Sequence, residues 1–147
     1  MSVDRILLFR ALAAEMNAHS ERYRALGEAD MDCILVMERA APGSGVAPWA
    51  VRLVFEGIRC DHVEECHADE PAEFVLIGPL DAWERMFADI VDHGRATGRW
   101  TINSLALLGD EIRCEGPDPM GVDKFSRFNE TLQEFLDGAS HVLSPAR

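Results

Sequence analysis

Residues 72–87 read Ala72-Glu73-Phe74-Val75-Leu76-Ile77-Gly78-Pro79-Leu80-Asp81-Ala82-Trp83-Glu84-Arg85-Met86-Phe87, and two periodicities meet there. Residues 73–77 form a short apolar run rich in β-branched and aromatic side chains, which predicts a strand stopped by Gly78-Pro79. From Leu80 the spacing changes. Leu80, Trp83, Met86, Phe87, Ile90 and Val91 fall three and four apart, the stripe of an amphipathic helix running to His93. Gly94 stands where a C′ glycine belongs, and His93 lies favourably against the helix dipole. A strand passing straight into a helix is the unit from which the rest of the fold is read.

Upstream, residues 4–26 predict one amphipathic helix: Phe9, Leu12, Ala13, Met16 and Tyr23 share a stripe, and Gly27 ends it. Residues 33–39 (Cys-Ile-Leu-Val-Met-Glu-Arg) predict a strand, followed by a Pro/Gly-rich break at residues 42–48. Trp49, Val51, Leu53 and Phe55 alternate with Arg52 and Glu56, so Trp49–Glu56 reads as a strand with one buried face. Arg59–Cys66 continues it more weakly, with Gly57 as a bulge or bend. Downstream, residues 101–108 and 111–115 read as strands joined by a Gly109-Asp110 turn. Asp118-Pro119 reads as an N-cap with proline in the first helical position. The helix it opens would bury Val122, Phe125, Phe128, Leu132, Phe135 and Leu136 and leave at Gly138. The order helix, three strands, helix, two strands, helix predicts an α+β domain with helices gathered on one side of antiparallel strands.

The chain of 147 residues has the length of one domain, 1–147, with no repeat or linker. Its longest early apolar run, Ile6-Leu7-Leu8-Phe9, is far short of the roughly 20 residues of a membrane span. Nor is the start laid out like a secretory signal, and a cytoplasmic location is expected. Among the 14 basic residues only Lys124 is a lysine, which with the abundant alanine suggests a GC-rich bacterial genome.

The formal charge is −12. Between residues 56 and 73 seven acids (Glu56, Asp61, Glu64, Glu65, Asp69, Glu70, Glu73) face one base, Arg59, so half of that charge sits in one segment. Without a basic footprint to displace counterions, nucleic acid is not an expected partner. Anionic membrane surfaces are disfavoured for the same reason.

Candidate chemistry is sparse. Cys60, His62, Cys66 and His67 have ligand-like composition but lack a Cys-x-x-Cys knuckle. A period of two would put Cys60, His62 and Cys66 on one face and His67 on the other, so no metal site is expected. Cys33 and Cys114 sit in apolar strand patterns, where cysteine acts as a small hydrophobe, and the four cysteines are expected as reduced thiols. His93 beside Asp92, with Ser104 further on, lacks a Gly-x-Ser-x-Gly elbow. Neither catalytic residues nor cofactors are expected.

The order of elements and several strings resemble the sterol carrier protein type 2 family of lipid-binding domains, over the span from the first helix to about Gly138. The strings are the acidic segment leading into residues 72–78, the helix start at residues 80–87, and Leu107-Leu108-Gly109-Asp110-Glu111-Ile112-Arg113-Cys114-Glu115-Gly116. The resemblance implies a five-stranded, mainly antiparallel sheet with helices packed on one face, enclosing an apolar tunnel. It implies non-enzymatic binding or carriage of a sterol, fatty acyl or isoprenoid-like molecule. On this chain the tunnel would be lined by Trp83, Met86, Phe87 and Ile90, by the strand residues Phe55, Phe74 and Leu105, and by Phe125, Phe128 and Leu132 of the last helix, which would serve as a movable lid. Well-known lipid-transfer members are basic, so this acidic chain fits binding, or presentation of a lipid to an enzyme, better than docking on bilayers. Two rival readings remain: a homodimeric interaction module with a filled core, and a small α+β enzyme using His62, His93 or a carboxylate as base.

Overall fold

The computed structural model describes residues 4–41, 43–108 and 111–143. Helices α1 (Arg5–Ala18) and α2 (Ser20–Leu26) come first, then strands β1 (Met31–Glu38), β2 (Trp49–Glu56), β3 (Arg59–Cys66) and β4 (Phe74–Pro79). Helix α3 (Leu80–His93) follows, with a 3-10 turn at Gly98–Trp100, helix α4 (Ile102–Leu107), strand β5 (Arg113–Glu115), and helices α5 (Pro119–Asp137) and α6 (Ala139–Val142). The sheet order is β3-β2-β1-β4-β5. β1 and β4 pair in parallel; the other three pairs are antiparallel. The fold is α+β, with a five-stranded, mostly antiparallel sheet.

The strand-to-helix unit forms where the sequence predicts it, except that Gly78 and Pro79 do not stop the strand but are its last two residues, paired with Met37 and Glu38 of β1. β4 passes directly into α3, whose Trp83, Met86, Phe87 and Ile90 are buried, and Gly94 closes the helix at φ 83° with its amide on the Ile90 carbonyl. β1 forms a nearly continuous buried run because it is central and covered on both faces. Met31, Cys33, Leu35 and Met37 face the helices, packed with Leu8, Phe9, Leu12 and Met16 of α1. On the opposite face Ile34, Val36 and Ala50 are buried under a smaller cluster that includes Ala68 and Ala72 of the acidic segment. That segment is therefore a strap over the helix-free face, tied on by Glu73 N to the Asp32 carbonyl and Asp32 N to Glu73 Oε1, both at 2.9 Å.

Four further expectations are corrected. Residues 4–26 form two helices, because the backbone leaves the helix at His19 (φ −127°, ψ 51°). Trp49–Glu56 and Arg59–Cys66 are two strands of a hairpin that turns at Gly57-Ile58, so four strands precede α3. Residues 101–108 are not a strand: Thr101 accepts a hydrogen bond from Ser104 N and caps the short helix α4. β5 pairs with β4 instead, and the expected Gly109-Asp110 turn lies outside the described residues. The strand total of five stands because the extra strand upstream replaces the missing one downstream.

Helix α5 begins as expected, with the Asp118 side chain accepting from Met120 N at 2.8 Å and Pro119 in the first turn. It is interrupted at Phe128, whose φ −115° and ψ 15° leave the helical region, and beyond it Phe135 and Leu136 join the core. Gly138 is itself helical and leads into α6, so the chain does not leave the helical layer there.

Candidate functional site

The layer between the sheet and the helices is built by the alternation of the strands and the stripes of α1, α3 and α5. Phe55 on β2 and Phe74 on β4 point into it from the sheet; Trp83, Met86, Phe87 and Ile90 enter from α3; Phe125, Phe128 and Leu132 enter from α5. Leu105 is in the same layer, but from helix α4 and not from a strand. Nine of these ten side chains are buried, and Phe128, at the break in α5, is half-buried.

The aromatic members meet in pairs. Phe74 and Phe125 lie 5.8 Å apart in a tilted arrangement, Phe55 and Phe135 5.1 Å apart edge to face, and Phe9 and Phe87 6.1 Å apart edge to face. Phe9 also stacks on Trp49 at 5.8 Å. Phe9, Trp49 and Phe135 thus belong to the layer although the resemblance did not place them among the tunnel residues. Their signal was present in the stripe of the first helix, in the alternation of β2 and in the stripe of the last helix. The indole Nε1 of Trp83 donates to the Val36 carbonyl at 3.1 Å, which gives the one polar atom of that side chain a partner inside the core.

Two surface clefts lie around these elements. One, of about 610 Å³, is bounded by Gly98, Arg99, Ser104, Leu105, Leu108 and Glu111, with an Arg99–Glu111 ion pair of 3.1 Å. It reaches one of the ten side chains, Leu105. Another, of about 570 Å³, lies between the start of β4 and the first turns of α5, where the acids Asp32, Glu73 and Asp118 stand with the bases Arg52, Lys124 and Arg127.

The cysteine and histidine positions take other places than a metal site would require. A bulge opposite Val54 and Phe55 pairs Phe55 with Cys60 and Val54 with His62, so the period of two breaks. Cys60 is buried on the helix side of the sheet, while Cys66 packs with Ile34 and Val36 on the other side; the expectation that they share a face is corrected. Among the described residues no group of three or more His, Cys, Asp or Glu is arranged to hold a metal ion. Burial pushes all four thiols up: Cys33 well above its ordinary value, Cys60 to about 12, and Cys66 and Cys114 to about 11. Thiols held protonated are poor nucleophiles. His93 is exposed at the end of α3, with Nδ1 3.0 Å from Asp89, and the same carboxylate accepts from Thr97 N and Oγ1. Asp89 therefore ties down the loop after α3.

No family model matches this chain, and no curated protein matches it in sequence. Two solved structures match over almost their full lengths. The solution structure of a conserved hypothetical protein from Thermus thermophilus, described as possibly a sterol carrier protein, aligns with a TM-score of 0.69 and 18% identity, covering 96% of this chain and 90% of that one. The crystal structure of sterol carrier protein 2 aligns with a TM-score of 0.67 and 17% identity, covering 91% of this chain and 94% of that one. The chain has the fold of these structures. No described helix is long and apolar enough to cross a membrane.

Proposed function

We propose that this chain binds a hydrophobic small molecule, of sterol, fatty acyl or isoprenoid-like class, between the sheet and the helices, and carries or presents it without bond chemistry in the cytoplasm. The observation that carries the reading is the layer itself, an apolar seam of paired rings and methionines in a fold shared with sterol carrier protein 2. The binding surface would be the ten side chains named above, with a lid formed by the part of α5 before Phe128, where the helix already breaks. Each buried methylene of a ligand contributes about 0.8 kcal/mol, so a long chain could bind well by burial alone. The acidic surface favours delivery to another protein over collision with anionic bilayers. Native mass spectrometry of the freshly purified protein, with organic extraction of what accompanies it, tests the reading: a co-purifying lipid supports it.

A second reading is a dimeric accessory module whose core is filled. The close ring pairs and the Trp83–Val36 hydrogen bond favour it, because such contacts leave little room between the layers. A lipid-free dimer in the same spectrum would move this reading ahead.

A further inference from the structure

Helices α1, α2, α5 and α6 and the bend after α3 meet around a further cleft, of about 200 Å³, which shares no residue with the two described above. Its aromatic wall is Tyr23 of α2. That side chain is 3% exposed and its ring packs in the apolar core, yet among the described residues its hydroxyl has no hydrogen-bond partner. A phenol buried to this extent ordinarily finds one. The hydroxyl end is turned to the cleft, because the charged groups that act on it, Glu134, Arg22, Glu15 and Asp137, all belong to the lining. Burial, and after it the Glu134 carboxylate, push the phenol above its ordinary value, so it stays both donor and acceptor.

Charges of both signs line the same space. Glu15 is taken up by His141 at 2.9 Å and His19 at 3.2 Å. Asp137 accepts on Oδ1 from Ala96 N at 3.0 Å and Gln133 Nε2 at 2.8 Å, and its Oδ2 accepts from no described residue. Glu134 is half-buried, and its carboxylate has no hydrogen bond or ion pair among the described residues; nor have the guanidinium groups of Arg22 and Arg95, which are exposed. Opposite charges that face one cleft without touching leave room for a molecule that touches both. The volume is below the roughly 300–1,000 Å³ of sites for drug-sized ligands and suits a molecule the size of one amino acid. No aliphatic side chain lines it, so an apolar substituent would find no surface to bury.

We propose that this cleft binds a small zwitterion, an α-amino acid with a small or polar side chain, its ammonium held by Glu134, Asp137 and the Tyr23 hydroxyl and its carboxylate by Arg22 and Arg95. An ammonium has three donors for those three acceptors, and a guanidinium fork matches a carboxylate. None of the ten side chains proposed to line the hydrophobic site borders this cleft, so the two sites are independent.

The test is an NMR titration of the labelled protein with glycine, L-alanine and L-serine. It is repeated with ethanolamine and 3-hydroxypropionate, which keep the skeleton of serine and carry one of its two charges each. L-Serine should bind at least about tenfold more tightly than either analogue, the scale of one charge-assisted contact. Tyr23→Phe removes only the hydroxyl. It should weaken serine binding several-fold and leave the urea midpoint unchanged or raised, since that oxygen has no partner in the fold. Glu134→Gln should weaken serine and ethanolamine alike and spare 3-hydroxypropionate. The Arg22→Gln, Arg95→Gln double variant should bring serine to the affinity of ethanolamine. Binding of none of the three amino acids would overturn the site and leave the cleft to water. Equal binding of serine and its two analogues would overturn it as well, as would serine binding that Tyr23→Phe and Glu134→Gln both leave unchanged. A lowered urea midpoint in Tyr23→Phe would give the hydroxyl a partner within the fold and remove it from the site.

Discussion

The indole nitrogen of Trp83 donates a 3.1 Å hydrogen bond to the main-chain carbonyl of Val36, joining α3 to the central strand of the sheet. The side chain also fills the layer as one of its largest buried groups. Trp83→Phe keeps most of the apolar contact and removes the donor. We expect a loss of about 1–3 kcal/mol in urea unfolding, the cost of leaving a buried partner unsatisfied. An unchanged midpoint would mean that the bond contributes nothing to the docking of α3.

Gly121 lets α5 approach β4 closely. A Cβ placed there would lie 2.3 Å from the Glu73 carbonyl oxygen, a backbone atom with no rotamer to yield. Gly121→Ala is expected to destabilise the fold by about 1–3 kcal/mol, the range for overpacking. A thermal melt would read this, and a wild-type melting temperature would show that the seam can open there freely.

Phe87 and Phe128 separate packing from binding. Phe87 is 2% exposed and meets Phe9 edge to face, so a polar residue there should cost about 3–5 kcal/mol of stability whatever else it does. Phe128 is half-buried at the break in α5, under the Arg127 guanidinium at 5.2 Å. Phe128→Ser should therefore weaken fluorescent fatty-acid binding clearly while lowering stability less than Phe87→Ser. Unaltered binding by Phe128→Ser would remove that residue from the proposed lining.

The thiols predict a dependence on pH. Each cysteine has a folded value above the ordinary 9.0, so above that pH the unfolded chain loses protons that the folded chain retains. Their contribution to stability is fully present below about pH 9 and is lost as pH rises toward the folded values of about 11 to 12. Denaturant unfolding in a reducing buffer at pH 7, 9 and 10.5 should show stability falling only beyond pH 9. In parallel, Cys33 and Cys60 should resist a thiol reagent at pH 8 until denaturant is added.

What could be read from the sequence follows the reach of local patterns. The stripe Leu80, Trp83, Met86, Phe87, Ile90, Val91 and the alternation Trp49, Val51, Leu53, Phe55 each name their own face, and both are buried except at Leu80 and Val91, which are half-buried at the two ends of the helical stripe. The strand reading of residues 101–108 failed because Ile102 and Leu105 are too few to separate a short helix from a strand, and the deciding cap at Thr101 is a single hydroxyl. The bulge at β2 and β3 also escaped, since one extra residue reverses a face without leaving a compositional mark. β5 has three residues and depends on β4 for its pairing, which no local pattern states. Nine of the ten proposed lining positions sit on the elements expected for them; the exception, Leu105, inherited the error at residues 101–108. The charged cleft of Arg52, Lys124 and Arg127 joins residues more than 70 apart in sequence and could be seen only after folding.

The central claim is that a hydrophobic molecule occupies the layer between sheet and helices. Titration of the lipid-stripped protein with cis-parinaric acid, read by the fluorescence of the bound acid, tests it most directly. The account predicts saturation at one ligand per chain, reversed by an unlabelled long-chain fatty acid. A signal that never saturates, or one that an excess of unlabelled fatty acid leaves in place, would contradict it.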